Sequence, residues 1–224
     1  MKNTLLITLA LLVSTTFSLS AQETEPLSRT VFKLSPQHFT HNALKVGVER
    51  FNPTHSGSVA LFITTRLDNN EDNPFDREGY NGLAGELQFR KYISPMKERK
   101  SKKGNVYHQG VYGAAYLQGG SYSGEFADQY STYDPTTGMY TPTTTYNYKE
   151  NIGNWGVGFT IGYQKTLWQV VFLEAFIGGG IQFANRITSG EMPDSNSYYY
   201  YSGITDPGYK GILPKIGLNI GLGL

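Results

Sequence analysis

Cysteine is absent from the 224 residues of the chain. The protein therefore has no disulfide, no thiolate metal site and no cysteine to which a lipid could be attached. The formal net charge is only +1, which gives no argument for a nucleic-acid partner. After the first residues, no apolar run approaches the roughly 20 residues that a membrane-spanning helix needs. Stability must come from means other than covalent cross-links.

The N-terminal residues have the pattern of a secretory signal peptide. Lys2 supplies a basic start, residues 5–13 are apolar, and small residues precede a cleavage site after Ala21. Residues 14–16 are polar and interrupt the apolar run, which argues against a membrane-anchor helix. The predicted organisation is a signal peptide at 1–21, a periplasmic tail at 22–29 and a single domain at 30–224.

Alternation of large apolar residues with small or polar ones is the main pattern in the rest of the chain. Glycine and tyrosine are abundant, with 26 and 17 residues, and helical periodicity is lacking. The clearest case is 155–164, where Trp155, Val157 and Phe159 are separated by small residues. A second alternating run follows across a short turn near 167–169. A period of two residues predicts β-strands, and hence an all-β protein.

Eight alternating runs are present. They lie at 30–39, 42–52, 58–67, 80–93, 105–123, 155–164, 171–182 and 212–224. Long connections at 68–79, 124–148 and 188–207 alternate with shorter ones, as in transmembrane β-barrels with long outer loops and short periplasmic turns. The first run is weakened by Pro36, but including it gives an even strand number with both termini periplasmic. We therefore predict a single antiparallel transmembrane β-barrel of about eight strands.

One face of these runs is aliphatic or aromatic, whereas the other carries charge. The polar face holds Lys33, Lys45, Glu49, Arg66, Glu86, Gln88, Arg90, Glu174, Lys215 and Asn219. The interior of an eight-stranded barrel is just wide enough for side chains to fill it, and buried charges are costly unless they are paired. A lumen charge network is therefore predicted from Lys45, Glu49, Glu86, Arg90, Glu174 and Lys215. It either plugs and rigidifies the barrel or lines a narrow, porin-like path for ions or small solutes.

Aromatic residues near strand ends are expected to form a girdle at the membrane interfaces. The candidates are Tyr80, Tyr92, Trp155, Tyr163 and Trp168. A secreted, soluble β-barrel that carries a ligand, or a β-sandwich, is the alternative. It is less favoured, because most runs reach the 9–11 residues of a tilted membrane strand.

Four segments resemble the small eight-stranded outer-membrane β-barrel proteins of Gram-negative bacteria. They are Ala-Leu-Lys-Val-Gly-Val-Glu-Arg (43–50), Gly-Glu-Leu-Gln-Phe-Arg-Lys-Tyr (85–92), Gly-Phe-Thr-Ile-Gly-Tyr-Gln (158–164) and Pro-Lys-Ile-Gly-Leu-Asn-Ile-Gly (214–221). Within that superfamily the chain is most similar to a domain-of-unknown-function family. The resemblance implies the cell outer membrane, contact with its lipid and lipopolysaccharide, and handling by the barrel-assembly machinery. Leu224 stands where such barrels commonly end in an aromatic residue.

Enzymatic and metal-binding patterns are weak. His38, His41, His55 and His108 have no metal-ligand spacing, and the first two are expected to be exposed loop residues. A lipid-modifying acyl hydrolase is the least favoured function, because His55–Ser56 falls in a turn assigned to the periplasm. We expect no catalytic residue, no metal and no cofactor.

Two polar segments also have only weak patterns for ligand binding. Asp68, Asn70 and Asp72 have the spacing of a calcium loop, but the turn glycine and the bidentate glutamate of such loops are missing. A lysine-rich run at 97–103 is expected to be a solvated turn.

The Tyr- and Thr-rich long loops are candidates for contact with a surface partner. The sequence thus predicts a non-enzymatic barrel with a structural or surface-interaction role.

Overall fold

The computed structural model describes part of the chain. The described residues are 30–52, 57–67, 79–93, 99–100, 106–107, 109–131, 133–140, 144–167, 170–190 and 204–223. Several sequence predictions lie outside them: the signal peptide and tail at 1–29, the His55–Ser56 pair, the calcium-like residues 68–72, most of the lysine-rich run, His108, and Trp168. In the described part, no helix is long and apolar enough to cross a membrane.

Eight strands build the fold, and they are numbered in chain order. They are β1 (Thr30–Leu34), β2 (Ala43–Phe51), β3 (Gly57–Arg66), β4 (Asn81–Tyr92), β5 (Gly110–Tyr130), β6 (Thr144–Leu167), β7 (Val171–Gly190) and β8 (Gly211–Gly223). Two short ladders lie outside this set, one between Arg99–Lys100 and Val106–Tyr107 and the other between Tyr133–Asp134 and Met139–Tyr140.

The eight strands pair in a closed antiparallel ring. Each strand pairs with the next in the chain, and the ring closes where Val31 of β1 pairs with Gly223 of β8. The tightest connection joins β6 to β7, where Leu167 pairs with Val171. The prediction of an all-β, eight-stranded antiparallel structure is confirmed.

The two ends of the barrel differ. The terminal end carries Thr30 and Gly223, together with the connections 52–56, 93–109 and 168–170. The loop end carries the connections 35–42, 67–80, 131–143 and 191–210. The predicted placement of both chain ends on the same side is therefore observed for the described residues.

Along the strands, outward residues that are mostly aliphatic alternate with inward residues that are polar, small or aromatic. On β6, Val157, Phe159 and Ile161 are exposed, whereas Gly158, Thr160 and Gly162 between them are buried. The same alternation runs along β2, β3 and β7. The division of residues between the inner and outer faces is therefore the one that the alternation in the sequence predicts.

The predicted loop at 124–148 is largely wrong. Strand β5 continues to Tyr130 and β6 begins at Thr144, so this hairpin, with β7, projects beyond the other strands. Tyr and Thr favour extended backbone, and Phe126, Tyr148 and Ile152 form a buried cluster with Tyr80 that supports the extension. The connection predicted at 188–207 also starts later, after Gly190.

The first predicted strand is shorter than expected. Strand β1 has only 5 residues, and the chain then forms a 3-10 helix from Pro36 to His41. Proline suits the first position of such a turn because its missing N–H is not needed there. Asn42 ends the turn with a left-handed backbone, at φ 50°, and leads into β2.

The aromatic girdle is only partly as predicted. Tyr80 and Tyr92 point inwards and are buried, so their assignment to the girdle was wrong. Trp155 and Tyr163 face outwards, and the Trp155 ring stacks on Phe183 with centroids 4.4 Å apart. Proximity to a strand end does not tell which face a residue occupies, because this depends on register.

Candidate lumen site

Glycines on the inner face make room for aromatic rings that cross the lumen. A Cβ atom at Gly162 would lie 2.4 Å from the Tyr112 ring, and one at Gly47 would lie 2.3 Å from the Phe62 ring. Only a residue without a side chain allows such close approach. Tyr112 and Phe62 are consequently fully buried, and they frame the charged groups of the lumen.

Two acidic and two basic side chains form a closed group near the terminal end, which we call the terminal cluster: Lys33, Glu49, Arg90 and Glu174. The Lys33 ammonium contacts both carboxylates, at 2.5 Å for Glu49. The Arg90 guanidinium also contacts both, at 2.9 Å for Glu174 and 3.4 Å for Glu49. The charges balance, and all four side chains are almost completely shielded from solvent.

Neutral groups occupy further hydrogen-bonding positions of this cluster. Tyr112 donates to Glu174 at 2.6 Å, and Asn219 donates to the same oxygen at 3.0 Å. Ser58 donates to Glu49. Gln88 accepts from Arg90 Nε at 2.8 Å. Extensive pairing of this kind is what makes buried ions tolerable in a low-dielectric interior.

An apolar layer lies beside the terminal cluster. Val31, Phe51, Tyr92, Tyr112, Ala114 and Phe172 form one buried contact cluster. Its members come from the terminal-end portions of β1, β2, β4, β5 and β7. Together with the paired ions, they fill this half of the lumen with side chains.

A second ionic layer lies towards the loop end, and we call it the middle layer: Lys45, Glu86 and Lys215. One carboxylate oxygen of Glu86 lies 2.5 Å from the Lys45 ammonium nitrogen, and the other lies 2.7 Å from the Lys215 ammonium nitrogen. Lys215 also donates to Gln118 at 3.1 Å and lies 3.7 Å from the Tyr116 ring centroid. The layer has two cations for one anion, unlike the balanced terminal cluster.

Beyond the middle layer the lumen opens into a cavity of about 500 Å³, which we call the chamber. The middle layer lines one side of it, and the 3-10 helix and residues 204–207 line others. Arg66 and Gln182 also line it. Gln182 donates to the backbone oxygens of Pro207 and Tyr209 at 3.3 and 3.2 Å, which holds this segment at the wall.

His38 differs from the expectation of an exposed loop histidine. It lies in the 3-10 helix, outside the eight strands, and is half-buried against the chamber. Burial, assisted by the nearby Lys45 ammonium, lowers the pKa of His38 to about 4. Its imidazole is therefore neutral at pH 7. His41 lines the chamber as well but is exposed.

A third ionic group, at the loop end, links the projecting strands to the last connection. Arg186 pairs with Glu150 at 3.3 Å and with Asp206 at 2.6 Å. Tyr80 donates to Glu150 at 2.5 Å. Burial raises the pKa of Tyr80 above its ordinary value, and this hydrogen bond raises it further. The phenol thus remains a donor.

All six predicted network residues face the lumen. Their direct ion pairs form two groups, and Gln88 joins these groups because it accepts from Arg90 and donates to Glu86 at 2.6 Å. Glu49, Arg90 and Glu174 belong to the terminal cluster, whereas Lys45, Glu86 and Lys215 form the middle layer. Sequence reasoning placed Lys33 on the polar face but omitted it from the network. It missed the pairing of Glu150 and Arg186, because these residues were assigned to no inward face.

Among the residues that the structure describes, no group of three or more His, Asp or Glu side chains is placed to hold a metal ion. Comparison with known proteins gave no match to a protein-family model, to a curated protein or to a solved structure. The function is therefore inferred from the sequence and the geometry of the chain.

Proposed function

We propose that the protein is a non-enzymatic, integral outer-membrane β-barrel with a structural or surface-interaction role. One observation carries this proposal: charged residues are buried inside the ring, whereas apolar residues are exposed on its outer surface. The buried face holds Lys33, Glu49, Arg90 and Glu174, whereas residues such as Phe159, Ile212 and Ile216 are 73–76% exposed. Soluble proteins show the opposite arrangement, and a continuous exposed apolar surface marks contact with a membrane or a partner.

The outward apolar residues are found on all eight strands. They include Phe32, Leu44, Val46, Leu61, Ile63, Leu83, Phe89, Val111, Leu117, Val157, Ile161, Leu173, Ile177, Leu218, Ile220 and Leu222. Hydrocarbon surrounding the ring would bury this belt. A closed ring also suits a membrane, because its strands pair their backbone groups with each other rather than with water. Trp155 and Phe183, stacked on the outer face near the start of β8, suit an interfacial position.

The soluble ligand carrier is less well supported. Such a protein would keep an apolar interior for its ligand and a polar exterior. Here the terminal half of the lumen is occupied by ions and by packed aromatic rings. A β-sandwich is not compatible with the closed ring.

The narrow-pore alternative is also less well supported than a plugged barrel. A conducting path would have to pass the terminal cluster, whose four charged side chains are 0–1% exposed and bonded to each other. Selective pores hold ions weakly at sites that ions can enter and leave. The paired arrangement favours rigidity over passage.

A surface-interaction role is supported by the tip of the projecting β5–β6 hairpin. Tyr133, Met139 and Tyr140 are 51–72% exposed there, and they are held in a defined turn. Asp134 accepts from the Thr136 amide at 2.8 Å, which lowers the pKa of its carboxyl group. Exposed aromatic residues on a rigid hairpin give contact area at low entropic cost.

The proposal is tested in the membrane fraction of cells that express the full chain. After a carbonate wash, unboiled and boiled samples are compared on a denaturing gel. We expect the protein in the washed pellet, with a mobility that changes on boiling because the closed barrel resists the detergent. Release into the soluble fraction without a mobility change would overturn the membrane assignment.

A further inference from the structure

The barrel wall is incomplete beside β1. Among the described residues, β1 pairs with β8 only from Val31–Gly223 to Leu34–Ile220, and with β2 only as far as Val46. Towards the loop end, the edge of β8 over 211–219 therefore has no strand partner on this side, and β2, which begins at Ala43, lies opposite only the last part of this stretch. Unpaired strand edges are costly in hydrocarbon, so this gap is a special feature of a membrane barrel.

The 3-10 helix Pro36–His41 fills this gap without pairing as a strand. Ser35 donates its amide to Lys45 on the β2 side, at 3.0 Å. On the β8 side, the Gln37 amide group lies over Gly217, where a Cβ atom would be 2.4 Å from its nitrogen. Pro214, which has no N–H to donate, lies in the uncovered stretch of β8. The gap is thus covered by side-chain packing rather than by a ladder.

The chamber reaches this gap. Lys215 and Leu213, which point towards the lumen, line it together with Pro214 and Ile216, which point outwards. Residues from both faces of β8 therefore border the chamber, at the stretch where the edge of β8 is not paired with another strand. The chamber volume of about 500 Å³ falls in the range of small-molecule sites.

The chemistry of the chamber favours an anion. The middle layer has two ammonium groups for one carboxylate, whereas the Asp206 carboxylate, which also lines the chamber, is paired with Arg186. A Lys ammonium has three donors, and Lys45 directs one of them to Glu86 and lies 5.0 Å from the Phe62 ring centroid.

The outer border of the gap is apolar. Phe39 of the 3-10 helix is 53% exposed, and Leu44 and Ile216 are exposed on the flanking strands. This border continues into the outward belt of β2 and β8. A cationic chamber and an apolar outer border, joined through a gap in the wall, match the two parts of an anionic amphiphile.

We propose that the gap between β2 and β8 is a lateral binding site for an anionic, phosphate-bearing lipid. The phosphate head enters the chamber towards Lys45 and Lys215, while the acyl chains stay outside along Phe39, Leu44 and Ile216. This inference depends on the proposed membrane insertion. Displacement of the 3-10 helix by the head group requires no break in the strand ladders, because the helix belongs to none of them.

The test uses the full mature chain, purified in detergent. Each sample is first shown to be heat-modifiable, so that failure of the barrel proposal is recognised before lipid is added. Dioleoyl phosphatidic acid is then titrated by native mass spectrometry, with dioleoyl phosphatidylcholine and glycerol 3-phosphate as comparison ligands. We expect one phosphatidic acid per barrel, bound at least about 10-fold more tightly than either comparison ligand.

Two charge variants locate the head group. Lys45→Gln and, as a second variant, Lys215→Gln should each weaken phosphatidic acid binding by about 10-fold. Lys149→Gln, which removes a lysine from an exposed ion pair at the loop end, is the matched control and should leave binding unchanged. Equal binding of both lipids, or equal affinities in all variants that remain heat-modifiable, would overturn the proposal.

A photoreactive lipid locates the acyl chains. Phosphatidic acid with a diazirine in its acyl chain should label peptides that contain Phe39, Leu44 and Ile216 in excess over Phe159 on the opposite wall. Lys45→Gln should abolish this excess. Uniform labelling around the barrel would contradict the lateral site. Glycerol 3-phosphate that binds as tightly as the lipid would show entry from the loop end, which also contradicts it.

Discussion

The two halves of the lumen contain similar residues but have different structures. In the terminal half, two cations and two anions are paired with each other and surrounded by aromatic rings. In the loop half, two lysines share Glu86 and border the chamber. Charge balance together with aromatic packing closes one half, and excess positive charge beside open volume makes the other half suitable for a ligand.

Strand pairing explains this difference. Near the terminal end all eight strands take part in the ring, so inward side chains approach from every side. Towards the loop end, β1 has ended and the 3-10 helix, which lines the chamber, takes its place. The terminal half is thus expected to determine stability, and the loop half to tolerate change.

The largest effect is expected from the terminal cluster. Arg90→Met removes a cation that contacts both Glu49 and Glu174 and leaves two buried carboxylates with Lys33. Breaking a buried ion pair costs about 3–5 kcal/mol. Urea unfolding of the barrel in lipid vesicles measures this loss.

The matched control is Lys149→Met, which removes a cation from an exposed pair with Glu125. Surface pairs contribute about 0–1 kcal/mol, so this variant should unfold nearly as wild type. Similar losses in both variants would show that the terminal cluster has no special role in stability.

An intermediate effect is expected where aromatic rings rest on glycine. Gly162→Ala places a methyl group 2.4 Å from the Tyr112 ring, which also donates to Glu174. Overpacking of this kind costs about 1–3 kcal/mol. The same unfolding assay checks the loss.

Gly153→Ala on the same strand is the control, because its added methyl group would meet no atom within 4 Å. It should leave stability unchanged or slightly raised, since alanine restricts the unfolded chain. If the two alanine variants were equally stable, close packing at Tyr112 would be excluded as a source of rigidity.

The smallest effect is expected at the loop end. Tyr80→Phe removes a hydrogen bond to Glu150, which keeps its contact with Arg186. A loss of about 1.5 kcal/mol, the lower end of the range for a bond to a charged group, is expected because Glu150 keeps this second partner. Tyr209→Phe, which removes an exposed bond to the Ile212 carbonyl, should have less effect. A Tyr80→Phe loss as large as that of Arg90→Met would contradict the contrast between the two halves.

Much of the fold follows from local pattern. Alternation with a period of two identified the strands and assigned Lys45, Glu86 and Lys215 to the inner face. Such a pattern shows whether a residue faces inwards or outwards, but it does not show where the residue lies along the barrel axis. The division into two ionic groups depends on register, which is set by pairings such as Lys33–Gly221 across ring closure.

The errors have physical causes. Residues 124–148 are rich in Tyr, Thr and Pro and carry few aliphatic residues, so the extension of β5 and β6 was not apparent from composition. Lys33 lies in the run that Pro36 weakens and was left out of the predicted network, yet 5 residues suffice to bring it to Glu174. Contacts between residues so distant in sequence become visible only when the ring is closed.

Conductance in planar lipid bilayers tests the closed terminal half most directly. Purified, heat-modifiable protein should insert without producing current steps, because the terminal cluster and its aromatic layer occupy the lumen. Stable unitary currents from the wild-type barrel would contradict this account and would favour the narrow pore.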